Sequence, residues 1–146
     1  MIEVRECLLA DHIDDIDALI AVNWEETGFD FPFMLDKERY KQFEAAGFLL
    51  VVAAFNEEEV VGYSLASVLP HPYNPAIICG NSDAMFLHPN YRNSTAGARL
   101  MFETERLAKE RGANRMLWHA RGDTDFIETL RKRGYSTADV VMMKGL

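Results

Sequence analysis

LHPNYRNSTAGARLMFETERLAKERG, residues 87–112, decides how the rest of the chain is read. An apolar run ends at His88-Pro89, a short polar turn follows, and a helix opens on small residues: Ser94, Thr95, Ala96, Gly97 and Ala98. Leu100, Met101, Thr104, Leu107 and Ala108 recur at helical spacing and predict a buried stripe, with Arg99, Glu103, Arg106 and Lys109 on the opposite side. Phe102 falls off the stripe and is expected to pack against something outside the helix. Gly112 is the stop. The first N–H groups of such a helix lack intrahelical partners, and the helix dipole adds partial positive charge there. A phosphate suits that site, provided the side chains are small enough for it to reach the backbone. Arg92 adds a fixed charge at the mouth. Neither GxxxxGK[ST] nor GxGxxG occurs in the chain. Taken alone, the turn reads first as a capped helix with small residues where it packs on a sheet.

Outward from the turn, residues 2–9 predict a first strand. Asp11 is placed to cap a helix reaching about Asn23, with Asp14 and Asp15 in its first turn. Ile13, Ile16, Ile20 and Trp24 give that helix its apolar stripe. GFDFPFML (28–35) is an aromatic loop, and Asp36 caps a second helix that stops at Gly47. FLLVVAAF (48–55) and VVGYSLASVL (60–69) are the arms of an antiparallel hairpin. PHPYNPAI (70–77) is expected to be loop because of its three prolines. SDAMFLH (82–88) and RMLWHA (115–120) are strands; Asp125 and Glu128 form a capping-box pair; Gly134 stops the last helix. YSTADVVMMK (135–144) closes the chain as a final strand. The order β-α-α-β-β-β-α-β-α-β predicts a mixed α+β fold, with a mostly antiparallel sheet flanked by about four helices.

The 146 residues suit one domain, 1–146. A net charge of −8 disfavours a nucleic-acid partner and mildly favours cationic or neutral ones. No apolar run approaches the roughly 20 residues of a membrane span, and the N-terminus lacks the pattern of a secretory signal, so the cytoplasm is the expected compartment and no membrane partner is expected. Cys7 and Cys79 suggest neither a disulfide framework nor a metal site.

The element order and the turn together resemble the GNAT (GCN5-related N-acetyltransferase) family. Its signature Q/R-x-x-G-x-G/A follows a strand and a proline, as Arg92-Asn93-Ser94-Thr95-Ala96-Gly97 does here. Thr95 departs from the pattern at the first glycine. The tight turn and the LWHA strand are similar to compact, phage-type members. The resemblance implies acetyl-CoA as co-substrate, bound where the fourth and fifth strands splay apart. The N–H groups from Asn93 to Ala98 would hold its pyrophosphate. The backbone of Met85, Phe86 and Leu87 would pair with its pantetheine arm, and an N–H at Phe86 or Leu87 would polarise the thioester carbonyl, a contribution of about 2.7–4 kcal/mol per donor in other enzymes.

The implied reaction is attack of a primary amine, on a small molecule or a protein, directly on the thioester. The family's usual acid is a tyrosine four residues before the glycine ending the last helix. Here that residue is Leu130. The candidates for proton transfer are His119, at the end of the fifth strand, and Asp83, at the start of the fourth; each also reads as a solvated strand-end residue. Tyr135 reads as core. Trp24, Phe29, Phe31 and Phe33 lie where the family builds its acceptor lid; Glu25 and Glu26, at the end of the first helix, could hold a cationic acceptor, and read also as a solvated face. Aromatic rings and carboxylates there suit a cationic amine, although a hydrophobic cluster under a loop would use the same rings. A homodimer is common in the family. Because Thr95 and Leu130 replace signature residues, the alternative is a catalytically silent module of this fold, a CoA sensor or a protein-interaction domain.

Overall fold

Residues 49–55 carry no polar side chain, so the strand they form is buried on both faces. In the computed structural model, which describes residues 1–122 and 124–146, this is β2 (Leu49–Asn56). The other elements are β1 (Ile2–Glu6), α1 (Leu9–Thr27), α2 (Lys37–Ala45), β3 (Glu59–His71), β4 (Asn74–Leu87), α3 (Ala96–Glu110), β5 (Arg115–Leu117) and α4 (Phe126–Lys132), with a 3-10 turn at Pro89–Tyr91. The sheet runs β1-β2-β3-β4-β5. All neighbours are antiparallel except β4 and β5, which are parallel. The fold is the expected α+β class.

Alternation along β2 supplies two cores. Leu49, Val51, Ala53 and Phe55 join Tyr63, Leu65 and Phe86 under α1 and α2. Leu50, Val52 and Ala54 join Val61 and Ala66 under α3. The predicted α3 stripe is buried in full. Its Thr104 hydroxyl lies 2.9 Å from Ser64 Oγ and donates to the Leu100 carbonyl, so both hydroxyls are satisfied inside the core. Phe102 faces outward under the Arg133 guanidinium, 4.0 Å from its centroid.

Several local expectations fail for physical reasons. Residues 70–77 are not a loop: β3 continues to His71 and β4 begins at Asn74. β2 stops at Leu49, opposite Ser67, and the last bond on that side runs from the Val68 N–H to the Phe48 carbonyl, so at Pro70 β3 pairs with β4 alone and the missing N–H breaks no ladder bond on its free side. Asp11 does not cap α1. The N-cap position is Leu8, and the N–H groups of Leu9 and Ala10 are both accepted by the Glu44 carboxylate from α2. The helix bends at His12 (φ −134°, ψ 18°) and continues to Thr27, past Asn23. Asp125 makes no side-chain cap bond, and Glu128 pairs with Arg131 instead. The fifth strand ends at Leu117, short of residue 120. No strand forms over 135–144. Val140, Val141, Met142 and Met143 are 66–87% exposed, and strand-like composition makes a strand only where an edge and an apolar face receive it.

Gly80 allows β5 to seat. A Cβ there would lie 2.7 Å from Met116 Sδ and 3.1 Å from Ala108 Cβ, so a side chain would require the Met116 side chain to move and α3 to give by a few tenths of an ångström.

Candidate active site

β4 and β5 pair over three positions only: Cys79 with Arg115, Gly80 with Met116 and Asn81 with Leu117. β5 then ends while β4 runs on to Leu87. Residues 82–87 of β4 therefore present an unpaired edge, the wall of a cleft that opens between the two strands. This is the splay expected of the fourth and fifth strands. The His88 N–H donates inward to the Val61 carbonyl, and the Leu87 carbonyl accepts outward from Arg92 Nε at 2.8 Å. Alternation along the strand puts the polar backbone groups of Met85 and Leu87 on the cleft side and those of Phe86 against β3. The Phe86 side chain is buried under α1, whereas those of Met85 and Leu87 pack toward α3.

A β-bulge shapes this wall. Leu65 faces Ala84 and Ala66 faces Ser82, which leaves Asp83 as the extra residue. Asp83 is thus well inside β4, not at its start. Bulges re-aim side chains. Here Asp83 turns to the α1/α2 face, where Tyr40 of α2 donates its hydroxyl to Asp83 Oδ2. Tyr63, next to this pair, accepts from Asn23 Nδ2 at 3.2 Å. Burial, then the Asp83 hydrogen bond, raises the Tyr40 phenol well above its usual range. Burial also raises Tyr63, with the Asp83 charge adding to it and the Asn23 bond opposing. Across the cleft, His119 Nε2 lies 2.9 Å from Asn81 Oδ1. An Nε2–H donating there leaves Nδ1 free to accept a proton. His119 lies two residues beyond the end of β5.

At the head of the unpaired edge stands the turn. Ser94 Oγ accepts the Ala96 N–H at 3.2 Å and donates to the Tyr91 carbonyl at 2.6 Å, so Ser94 does the capping and Thr95 makes no cap bond. The Ser94 N–H is held by the Tyr91 carbonyl. Among the described residues nothing accepts from the N–H groups of Asn93, Thr95, Gly97 or Ala98. Ala96 is fully buried and anchors the turn. A Cβ at Gly97 would meet only Leu87 Cδ2, at 3.8 Å, so packing within the protein does not demand glycine there.

Arg92 is committed elsewhere. Its Nη2 donates to both Glu26 carboxylate oxygens at 3.0 Å, and its guanidinium carbon lies 5.2 Å from the Phe86 ring centroid. Arg121 donates to the Glu26 carbonyl at 2.6 Å. Glu25 is exposed. Trp24 gathers Phe29 and Phe31, each 5.0 Å away, and Phe33 at 6.1 Å, and its Nε1–H donates to the Phe31 carbonyl at 3.1 Å. Phe29 and Phe31 are 42% and 49% exposed, so the cluster has an open apolar face. On the α4 side, Leu130 is buried. Tyr135 is fixed between Trp118 Nε1, at 3.0 Å, and Glu105 Oε1, at 2.9 Å, and burial together with Glu105 pushes its phenol up to about 12.

The Acetyltransferase (GNAT) family profile matches residues 16–135. The chain belongs to this family. Solved structures share its fold over its whole length. A ribosomal-protein-alanine N-acetyltransferase from Brucella melitensis biovar Abortus 2308 is 17% identical, with a TM-score of 0.77 and 100% of this chain and 99% of that one covered. AAC(6')-Iy, solved with the bisubstrate analog CoA-S-monomethyl-acetylneamine, is 15% identical, with a TM-score of 0.76 and coverage of 100% and 98%. A transcriptional regulator from Bacillus halodurans C-125 is 16% identical, with a TM-score of 0.79 and complete coverage of both chains. At these identities the likeness is one of fold. No curated protein matches the sequence.

The sequence named the turn, Asp83, His119 and the aromatic loop. It did not name Tyr40, Tyr63, Asn23, Asn81 or Arg121. Asn81 sits on β4 itself, two residues before Asp83, whereas Tyr40, Tyr63, Asn23 and Arg121 come from other parts of the chain, and no local motif marks any of them.

Proposed function

We propose that this GNAT chain transfers an acetyl group from acetyl-CoA to a primary amine. One observation carries the reading: in the turn at the head of an unpaired strand edge, four N–H groups, those of Asn93, Thr95, Gly97 and Ala98, have no partner among the described residues. The donors suit pyrophosphate oxygens, and the small turn admits them. The outward backbone groups of Met85 and Leu87 suit the amides of a pantetheine arm lying as an added strand. One of those N–H groups would polarise the thioester carbonyl. Acetyl-CoA supplies the acyl group, and the chain's own residues supply position and proton handling.

An amine of the lysine type is protonated at neutral pH, with a pKa of about 10.4, and must lose its proton before it attacks. Asp83, re-aimed by the bulge and held by Tyr40, attracts the ammonium and takes that proton, with His119 Nδ1 as the second acceptor across the cleft. Leu130 gives the α4 wall no acid, so the proton collected at Asp83 is passed to the departing thiolate. The open aromatic face of Trp24, Phe29, Phe31 and Phe33, with Glu25 beside it, suits a cationic acceptor. The acceptor is a small molecule or a protein amine, met in the cytoplasm. No described helix is long and apolar enough to cross a membrane.

Thiol release measured with acetyl-CoA across a panel of polyamines, aminoglycosides, amino acids and peptides tests the reaction. At least one amine is expected to release CoA above the hydrolysis background. Binding of acetyl-CoA with no thiol release from any amine would favour the catalytically silent module.

A further inference from the structure

Glu26, the penultimate residue of α1, holds one arginine from each wall of the cleft. Arg92, from the turn after β4, meets both of its carboxylate oxygens, and Arg121, from the connection between β5 and α4, meets its backbone carbonyl. The Arg92 side chain thereby lies across the end of the unpaired β4 edge. Its Nε already occupies the Leu87 carbonyl, an outward group that an added strand would use, and its guanidinium sits over Phe86.

We propose that Glu26 is a latch on this cleft, holding Arg92 across the β4 edge until a phosphate-bearing ligand draws the guanidinium away. The inference rests on the reading of the turn as a pyrophosphate site. Nη2 spends its donors on the Glu26 carboxylate and Nε on the Leu87 carbonyl, so these two nitrogens must give up those partners before they can meet phosphate oxygens. The exchange is cheap. Both side chains are partly exposed, Arg92 at 45% and Glu26 at 37%, so solvent screens the pair and holds it only weakly. The latch also ties the turn to the aromatic loop, because α1 ends at Thr27 and the loop begins at Gly28, two residues after Glu26. Arg92 is thus a positioning residue with two partners, and Glu26 sets the cost of moving between them.

The test is calorimetric titration of acetyl-CoA into wild type, Glu26→Gln, Arg92→Gln and the double variant. Glu26→Gln is expected to tighten binding by about fivefold at low salt, the upper end of what an exposed pair is worth. The gain shrinks as salt is added. Arg92→Gln weakens binding, and in that background Glu26→Gln changes nothing, because the latch has already gone. Unchanged or weaker binding by Glu26→Gln overturns the latch. The same tightening with and without Arg92 overturns it too, since the effect would then be bulk charge. Failure of wild type to bind at millimolar concentration is a separate result, which removes the cofactor reading and the latch with it.

Discussion

Replacing Gly97 with glutamate tests the turn most sharply. Nothing in the fold requires glycine at this position, since an added Cβ meets only Leu87 Cδ2 at 3.8 Å. The longer side chain adds its carboxylate to the turn whose N–H groups, without partners among the described residues, are the proposed phosphate donors. A carboxylate in the first turn of α3 interacts favourably with the helix dipole, by about 0.3–1 kcal/mol, so the protein is expected to stay folded with an unchanged or slightly higher Tm. Toward a bound pyrophosphate the same charge is repulsive. At about 4 Å and an effective dielectric near 20, one pair of like charges costs about 4 kcal/mol. That is about three orders of magnitude in Kd. Gly97→Ala, which adds bulk without charge, is expected to weaken binding far less. The assay is acetyl-CoA calorimetry beside thermal unfolding of each variant. A folded Gly97→Glu protein that binds as wild type does would refute the cradle.

Other expectations follow from the same geometry. Asp83→Asn and His119→Ala are each expected to lower turnover with little effect on acetyl-CoA affinity, and a pH–rate profile unaltered by both would remove them from proton transfer. Glu44→Ala takes the acceptor from the first two N–H groups of α1 and is expected to cost about 1–2 kcal/mol in urea unfolding. An unchanged midpoint would mean that solvent caps the helix equally well. Burial pushes the Cys7 thiol from 9.0 to about 11. At pH 8 its thiolate fraction is then about a hundredfold below that of an ordinary cysteine, and iodoacetamide labelling followed by mass spectrometry should find it correspondingly slow. Because Cys7 and Tyr135 hold their protons more tightly when folded, stability is fully present below their unfolded pKa values. It is lost as pH rises from about 9 to about 12. Alkaline titration of the urea midpoint checks the sign.

The parts of the fold legible in the sequence were those set by local chemistry. The α3 stripe, the β2–β3 hairpin and the glycine stops depend on spacing and backbone conformation, and they stand as read. What escaped depends on neighbours. Glu44 caps α1 from a different helix, which no local motif encodes. Pro70 is tolerated because β2 stops at Leu49, a fact about another strand. The strand expected over 135–144 has β-prone residues and no edge to receive it. In the site, small residues around Gly97 announced the turn, but the bulge at Asp83 is a matter of register between Leu65 and Ala66 and their partners. That one extra residue brings Asp83 to Tyr40. Arg92 was read as a fixed charge at the mouth with no partner named, because that partner, Glu26, is 66 residues away.

The central claim is that the turn after β4 and the unpaired edge below it form an acetyl-CoA site. Calorimetric titration of acetyl-CoA into the wild-type protein tests it most directly. The account predicts saturable one-to-one binding that weakens with added salt, because phosphates meet a helix N-terminus and an arginine. No heat of binding at millimolar acetyl-CoA, from protein that unfolds cooperatively in the same buffer, would contradict it.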